Sequence, residues 1–122
     1  MHLRTIALAL SLALTSAGCR QGGAPTQVAQ AHEIAWREGD VAAALSEAKE
    51  LGRPVILYWG ANWCPPCAQM KTSLFKDPAF VAETQNFVPV YLDGDTQGAQ
   101  RWAERFGISG YPTVIVLRPD GT

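Results

Sequence analysis

The sequence predicts an α/β sandwich whose first strands run parallel. Three observations carry this expectation. Short apolar runs rich in β-branched and aromatic residues recur at 55–59, 87–92 and 113–117. Stretches with apolar residues at helical spacing lie between them. The resulting order of helix, strand, helix, strand, helix, strand and turn is the alternation that packs helices against a largely parallel sheet.

Each element has a local reason. Ile34 and Trp36 alternate and suggest a short first strand. Asp40 is a good N-cap, Val41, Ala44, Leu45, Ala48 and Leu51 recur at helical spacing, and Gly52 ends the run. The run at 55–59 has the length and composition of a strand buried on both faces. Residues 60–63 turn out of it, and a helix is expected over 65–74. Asp77 and Pro78 open another helical turn carrying Phe80 and Val81. The strand at 87–92 ends in Asp93-Gly94-Asp95. Ala99, Trp102, Ala103 and Phe106 then mark a helix that Gly107 stops. The strand at 113–117 leads into the tight turn Pro119-Asp120-Gly121. No internal repeat is present.

Composition narrows the function. The chain has 122 residues, enough for one small domain, with 48% hydrophobic and 17% charged residues. A net charge of -1 with no basic stripe argues against nucleic acid as a partner. No nicotinamide or flavin motif is present, so no cofactor is expected. Gly22-Gly23 is linker, not a dinucleotide loop.

The amino terminus reads as an export signal. A short basic start at residues 1–4 precedes an apolar run at 5–17. That run is shorter than the roughly 20 residues a spanning helix needs. Ser16-Ala17-Gly18 precede Cys19, which resembles the bacterial lipobox, although Ser16 stands where that pattern usually has Leu. The resemblance implies a lipid anchor on Cys19. Arg20 behind it, rather than Asp, suggests outer-membrane direction in a diderm cell. The expected organisation is therefore a signal peptide over 1–18, a flexible tether over 19–31 and a folded domain over 32–122. The domain is expected to be exported to the periplasm or cell envelope and tethered to the membrane.

The chemistry concentrates at Trp63-Cys64-Pro65-Pro66-Cys67. Two cysteines separated by two residues, at a strand-to-helix junction, can close and reopen a small disulfide ring. Cys64 at the helix start meets the positive end of the helix dipole, which favours a thiolate, so it is the candidate nucleophile. Cys67, one turn further and more buried, is the candidate resolving thiol. Pro65 and Pro66 are tolerated in the first turn but cannot donate to the Cys64 sulfur, which leaves the Cys67 amide as the motif's remaining donor.

With Gly110-Tyr111-Pro112-Thr113, this motif makes the stretch from about Ile34 to Gly121 resemble the thioredoxin-like superfamily. Arg53-Pro54-Val55, Ala61-Asn62-Trp63-Cys64 and Phe75-Lys76-Asp77-Pro78 make it look most like exported domains close to the periplasmic domain of thiol-disulfide interchange proteins. The resemblance implies a three-layer sandwich, with a central mixed sheet flanked by helices. It also implies a cis bond before Pro112, a Tyr111 backbone that pairs with the substrate chain, and a docking role for Trp63. Family members end with a further strand and helix. Both are missing here, so an incomplete domain with an open sheet edge and marginal stability is expected.

The resemblance further implies a protein-disulfide reductase acting on exported thiol or disulfide proteins, with a membrane thiol relay protein as electron donor. Family members often carry a buried Asp six residues before the first cysteine, paired with a buried Lys on the next strand. Tyr58 stands at the first position and Pro89 is the nearest match to the second. No obvious base is left for Cys67, so Tyr58, the candidate proton relay within the chain, or water or a substrate group would have to substitute. Two other readings stay open: a thioredoxin-like module that binds without turnover, and a dithiol that handles copper(I). A structural zinc site is disfavoured, because only Cys64 and Cys67 fall inside the fold with His32 ahead of the first helix.

Overall fold

The computed structural model describes residues 32–122. The stretches expected to be a signal peptide and a tether, Cys19 included, lie outside the described residues. The elements in chain order are β1 (Arg37–Glu38), α1 (Val41–Leu51), β2 (Val55–Gly60), α2 (Pro65–Thr72), a 3-10 turn (Leu74–Lys76), α3 (Pro78–Thr84), β3 (Val88–Asp93), α4 (Gln97–Phe106) and β4 (Thr113–Leu117).

The four strands form one sheet in the order β1-β3-β2-β4. β1 and β2 both run parallel to β3, in registers that pair Arg37 with Val90 and Leu57 with Val90. β4 runs antiparallel to β2, with Leu57 opposite Ile115. The sheet is thus mixed, with β3 and β2 at its centre.

Every residue of β2 is buried, as its unbroken apolar run requires. Alternation along the strand divides its side chains between two cores. Leu57 and Trp59 pack with Val90, Leu92 and the apolar stripes of α1 and α4. The Trp59 indole N–H donates to the Ala99 carbonyl at 3.1 Å, tying α4 to the strand. On the opposite face Tyr58 packs with Ile34, Phe75 and Val81, flanked by Trp36, Met70 and Tyr91. Helices on both faces of a mixed sheet give the three layers expected.

The caps follow the sequence. Asp40 accepts from the Ala43 amide at 2.9 Å, and Gly52 and Gly107 close α1 and α4 at φ of 64° and 67°. Asp77 accepts from both the Ala79 and Phe80 amides at 2.9 Å, and Pro78 follows it in the first turn of α3.

Two expectations are corrected. The first strand lies at Arg37–Glu38, not at Ile34 and Trp36. The Trp36 amide donates to the Ile34 carbonyl at 2.9 Å, so the chain turns there and its backbone is withheld from the sheet. Ile34 and Trp36 are apolar because they pack on Tyr58 and Phe75. Arg37 then anchors the two-residue strand by pairing with Glu47 of α1 through both guanidinium nitrogens that face it, and that pairing holds the Glu47 carboxyl below its usual range.

The second correction is that the helix expected over 65–74 stops at Thr72. The Thr72 and Ser73 hydroxyls both donate back to the Gln69 carbonyl, at 3.2 and 2.7 Å, and the chain tightens into the 3-10 turn.

β4 stands at the sheet edge. Val114 and Val116 on its outer face are 42% and 57% exposed. No helix among the described residues is long and apolar enough to cross a membrane.

The double cap on α3 gives a direct test. Asp77→Ala strips two amides of their acceptor and is expected to cost about 0.5–2 kcal/mol. A urea melt should show the midpoint falling with its slope unchanged.

Candidate redox site

The end of β2 delivers the chain to the start of α2, and the cysteine pair sits at that junction. Cys64 is the N-cap of α2, with φ of -96° and ψ of 107°. Pro65 and Pro66 occupy the first helical positions, where their missing amides would be unpaired in any case. The Cys67 amide donates to the Cys64 sulfur at 3.3 Å, the single bond the motif leaves available. Cys64 and Cys67 are joined as a disulfide, with Cα atoms 5.2 Å apart.

The two sulfurs are not equivalent. Cys67 is completely buried, while Cys64 keeps 4% of its surface exposed. The expected order of burial holds, but Cys64 presents only an edge to solvent. Ala61, Cys64 and Cys67 form one small cluster, and Tyr111 packs against it. The Tyr111–Pro112 bond is cis, as the resemblance implied.

Trp63 is 66% exposed beside the disulfide. Its indole N–H donates to both carboxylate oxygens of Asp95, at 2.9 and 3.2 Å. Asp95 is held in turn by its own amide, which donates to Asp93 Oδ1 at 3.0 Å. The Trp63 and Tyr111 rings lie 6.2 Å apart. The Tyr111 hydroxyl points to the Gly94 carbonyl at 3.4 Å. A Cβ on Gly94 would overlap that ring, so glycine is what lets the β3–α4 loop approach the site.

Sequence reasoning treated Asp93-Gly94-Asp95 only as the end of a strand. Nothing in the chain marks Asp95 as a partner of a tryptophan 32 positions earlier. The sole signal was a glycine between two acids after a central strand.

Tyr58 lies on the face of β2 toward α2 and is buried. Its hydroxyl has no hydrogen-bond partner among the described residues. Burial pushes its pKa above the usual 10 of a phenol, so it keeps its proton at neutral pH. A Cβ on Gly60 would collide with the Tyr58 hydroxyl, so the ring occupies space that a side chain at 60 would need. Pro89 lies on β3 beside Ile56. The face therefore carries a neutral phenol in place of an acid and a base, and no unpaired charge is buried there.

Beside the disulfide runs a groove of about 530 Å³, lined by Trp63, Tyr111, Ile108, Ala103, Gln100 and Glu104. A second hollow of about 330 Å³ lies on the far face among Trp36, Tyr58, Phe75 and Tyr91. Among the described residues no group of three or more His, Cys, Asp or Glu side chains stands together as metal ligands.

A disulfide at a helix start, a cis-proline loop beside it and helices on both faces of a mixed sheet define a class, the thiol-disulfide oxidoreductase fold. Residues 41–122 match the family model of the thioredoxin-like domain, and the chain belongs to that family. It is 32% identical over 81 residues to the thiol:disulfide interchange protein DsbD 1 of Pseudomonas aeruginosa, covering 65% of this chain and 14% of that protein. It is 33% identical over 78 residues to thioredoxin-like 3-1, chloroplastic, of Arabidopsis thaliana, covering 64% of this chain and 36% of that protein. The chain thus spans well under two thirds of the length of these curated relatives. Among solved structures, a thioredoxin from Thermus thermophilus superposes with a TM-score of 0.61 at 32% identity, covering 69% of this chain and 65% of that one. The C-terminal domain of Neisseria meningitidis DsbD in its oxidised form superposes with a TM-score of 0.57 at 28% identity, covering 66% and 72%.

The close approach at Gly94 is testable. Gly94→Ala should force the Tyr111 ring out of its place, at a cost of about 1–3 kcal/mol. A denaturant titration measures the loss, and the fluorescence of Trp63 reports the displaced neighbour.

Proposed function

We propose that this chain is an exported thiol-disulfide oxidoreductase that reduces disulfides in exported proteins. The observation that carries the reading is the asymmetry of the pair: Cys64 caps the helix and keeps an open edge, while Cys67 is sealed behind it. The reduced Cys64 thiolate attacks a substrate sulfur, and the other substrate sulfur leaves as a thiolate. Cys67 then attacks Cys64, the mixed disulfide breaks, and the second substrate thiol is released. The substrate gains two electrons and the pair returns to the disulfide. Trp63, Tyr111 and Pro112 form the surface on which the substrate chain lies, and Pro65 and Pro66 stiffen the ring.

Export is supported by the basic start, the apolar run and the small residues before Cys19. Cys19 is the proposed lipid-anchor position, which would hold the domain at the cell envelope. Similarity to a thiol:disulfide interchange protein supports exchange chemistry, and the reductive direction, with a membrane thiol relay protein as electron donor, is proposed from the family resemblance.

Trapping tests the reading. Cys67→Ser should accumulate mixed disulfides between Cys64 and protein substrates, seen as thiol-sensitive adducts on a non-reducing gel. Cys64→Ser should form none. Absence of adducts, with partner binding intact when both cysteines are replaced, would support a binding module instead. Equilibration with glutathione sets the direction: a potential near that of thioredoxin, about -270 mV, marks a reductant, and one near -120 mV an oxidant.

Tyr58 belongs to the same proposal as proton relay for Cys67. Its support is a buried, unpartnered hydroxyl that keeps its proton at neutral pH and has a donor to spare. Tyr58→Phe should slow the resolving step about ten-fold or more, as loss of a bond to a charged group would. It should leave stability equal or slightly raised, because a buried orphan hydroxyl is removed. Stopped-flow release from a preformed mixed disulfide, with a parallel urea melt, reads both.

A further inference from the structure

We propose that the groove beside Cys64 selects substrate segments carrying a basic residue next to the attacked cysteine, with Glu104 as the specificity-determining residue. The inference rests on the oxidoreductase reading and adds the substrate class.

Among the described residues that line the groove, Glu104 is the single charged side chain. The rest of the lining is apolar or neutral: Ala103 is buried at the base, Ile108 and Tyr111 are half-buried, and Gln100 is uncharged. A second carboxylate, Asp95, does not line the groove but accepts from the indole N–H of Trp63, which does. One N–H cannot satisfy a carboxylate that offers about four lone-pair sites, so Asp95 keeps acceptor capacity.

The cations of α4 do not cancel the Glu104 charge inside the groove. Neither Arg101 nor Arg105 lines it, and the Arg105 guanidinium sits 5.2 Å over the Trp102 ring. The groove therefore sets apolar and neutral side chains beside the Glu104 carboxylate, with Asp95 held on the Trp63 indole that lines it, and Tyr111 joins this lining to the cysteine pair against which it packs. An extended peptide with an aliphatic stem and a cationic head suits it, because Lys and Arg lay their methylenes on apolar surface and extend the charge beyond. Such complementarity acts on encounter and discrimination. The interaction is partly exposed, so its size is that of a surface ion pair, about two- to five-fold in rate, and salt weakens it.

Single turnover with the pre-reduced protein tests this without an electron donor. Three peptides, each with one cysteine as a thionitrobenzoate mixed disulfide, carry Lys, Gln or Glu beside it. Release of the yellow thiolate gives second-order rates, and 2-hydroxyethyl disulfide is the uncharged reference. The expected result is a Lys-to-Glu rate ratio of about two- to five-fold at low salt, shrinking at high salt. Glu104→Gln should bring the ratio toward one, and Glu104→Lys should invert it. Because the ratio is taken within each variant, a general loss of reactivity cancels.

A wild-type ratio of one, or a ratio unchanged in Glu104→Gln, overturns the inference while leaving the oxidoreductase reading intact. Failure of the reduced protein to react with any peptide or with 2-hydroxyethyl disulfide overturns both.

Discussion

The burial of β2 on both faces is the constraint from which the site follows. A strand with no solvent-facing side has no freedom to slide, because a one-residue slip would exchange its two sets of side chains between unlike cores. Leu57 and Trp59 belong to the core under α1 and α4, and Tyr58 belongs to the core under α2 and α3. That fixed register decides where the strand ends, and Cys64 caps the next helix four residues beyond Gly60. The motif's reactivity is thus inherited from the middle of the sheet.

Around this junction, two close approaches between a tyrosine and a glycine shape the site. Tyr58 fills the volume beside Gly60, and Tyr111 fills the volume beside Gly94. In each case a large ring is admitted because a glycine removes a Cβ from its path. One pair fills the face of β2 that packs with Ile34, Phe75 and Val81. The other brings the β3–α4 loop against the cis-proline segment, and with it the carboxylate that holds Trp63. Apolar packing and backbone proximity define the pocket, and Glu104 is the one charged side chain among the described residues that line it.

Much of the fold was legible because the helix boundaries carry their own chemistry. Asp40, Asp77, Gly52 and Gly107 act through bonds and dihedrals that belong to their immediate neighbours. The first strand was misplaced for the complementary reason. Alternating Ile34 and Trp36 look like strand residues, yet it is an aromatic cluster formed with Tyr58 and Phe75 that claims them. Apolar character reports burial and leaves open which partner provides it. The end of α2 was overrun similarly, because the hydroxyls of Thr72 and Ser73 compete for the Gln69 carbonyl only once the helix has formed.

The sequence by itself determined the layered architecture, the paired cysteines at a strand-to-helix junction and the deeper burial of the second of them. Strand length, helical spacing, caps and the donor-free prolines are local properties, written within a few residues of where they act. Only the tertiary structure decided that Asp95 meets Trp63, that Glu104 lines the groove beside Cys64, and that the Tyr58 hydroxyl is buried without a partner. Those relations join residues far apart in the chain. They exist because β2 and β3 run parallel and end side by side, with Gly60 opposite Asp93, so that the β3–α4 loop starts where β2 gives way to the cysteines, and α4 then carries the chain across β2 to the antiparallel β4.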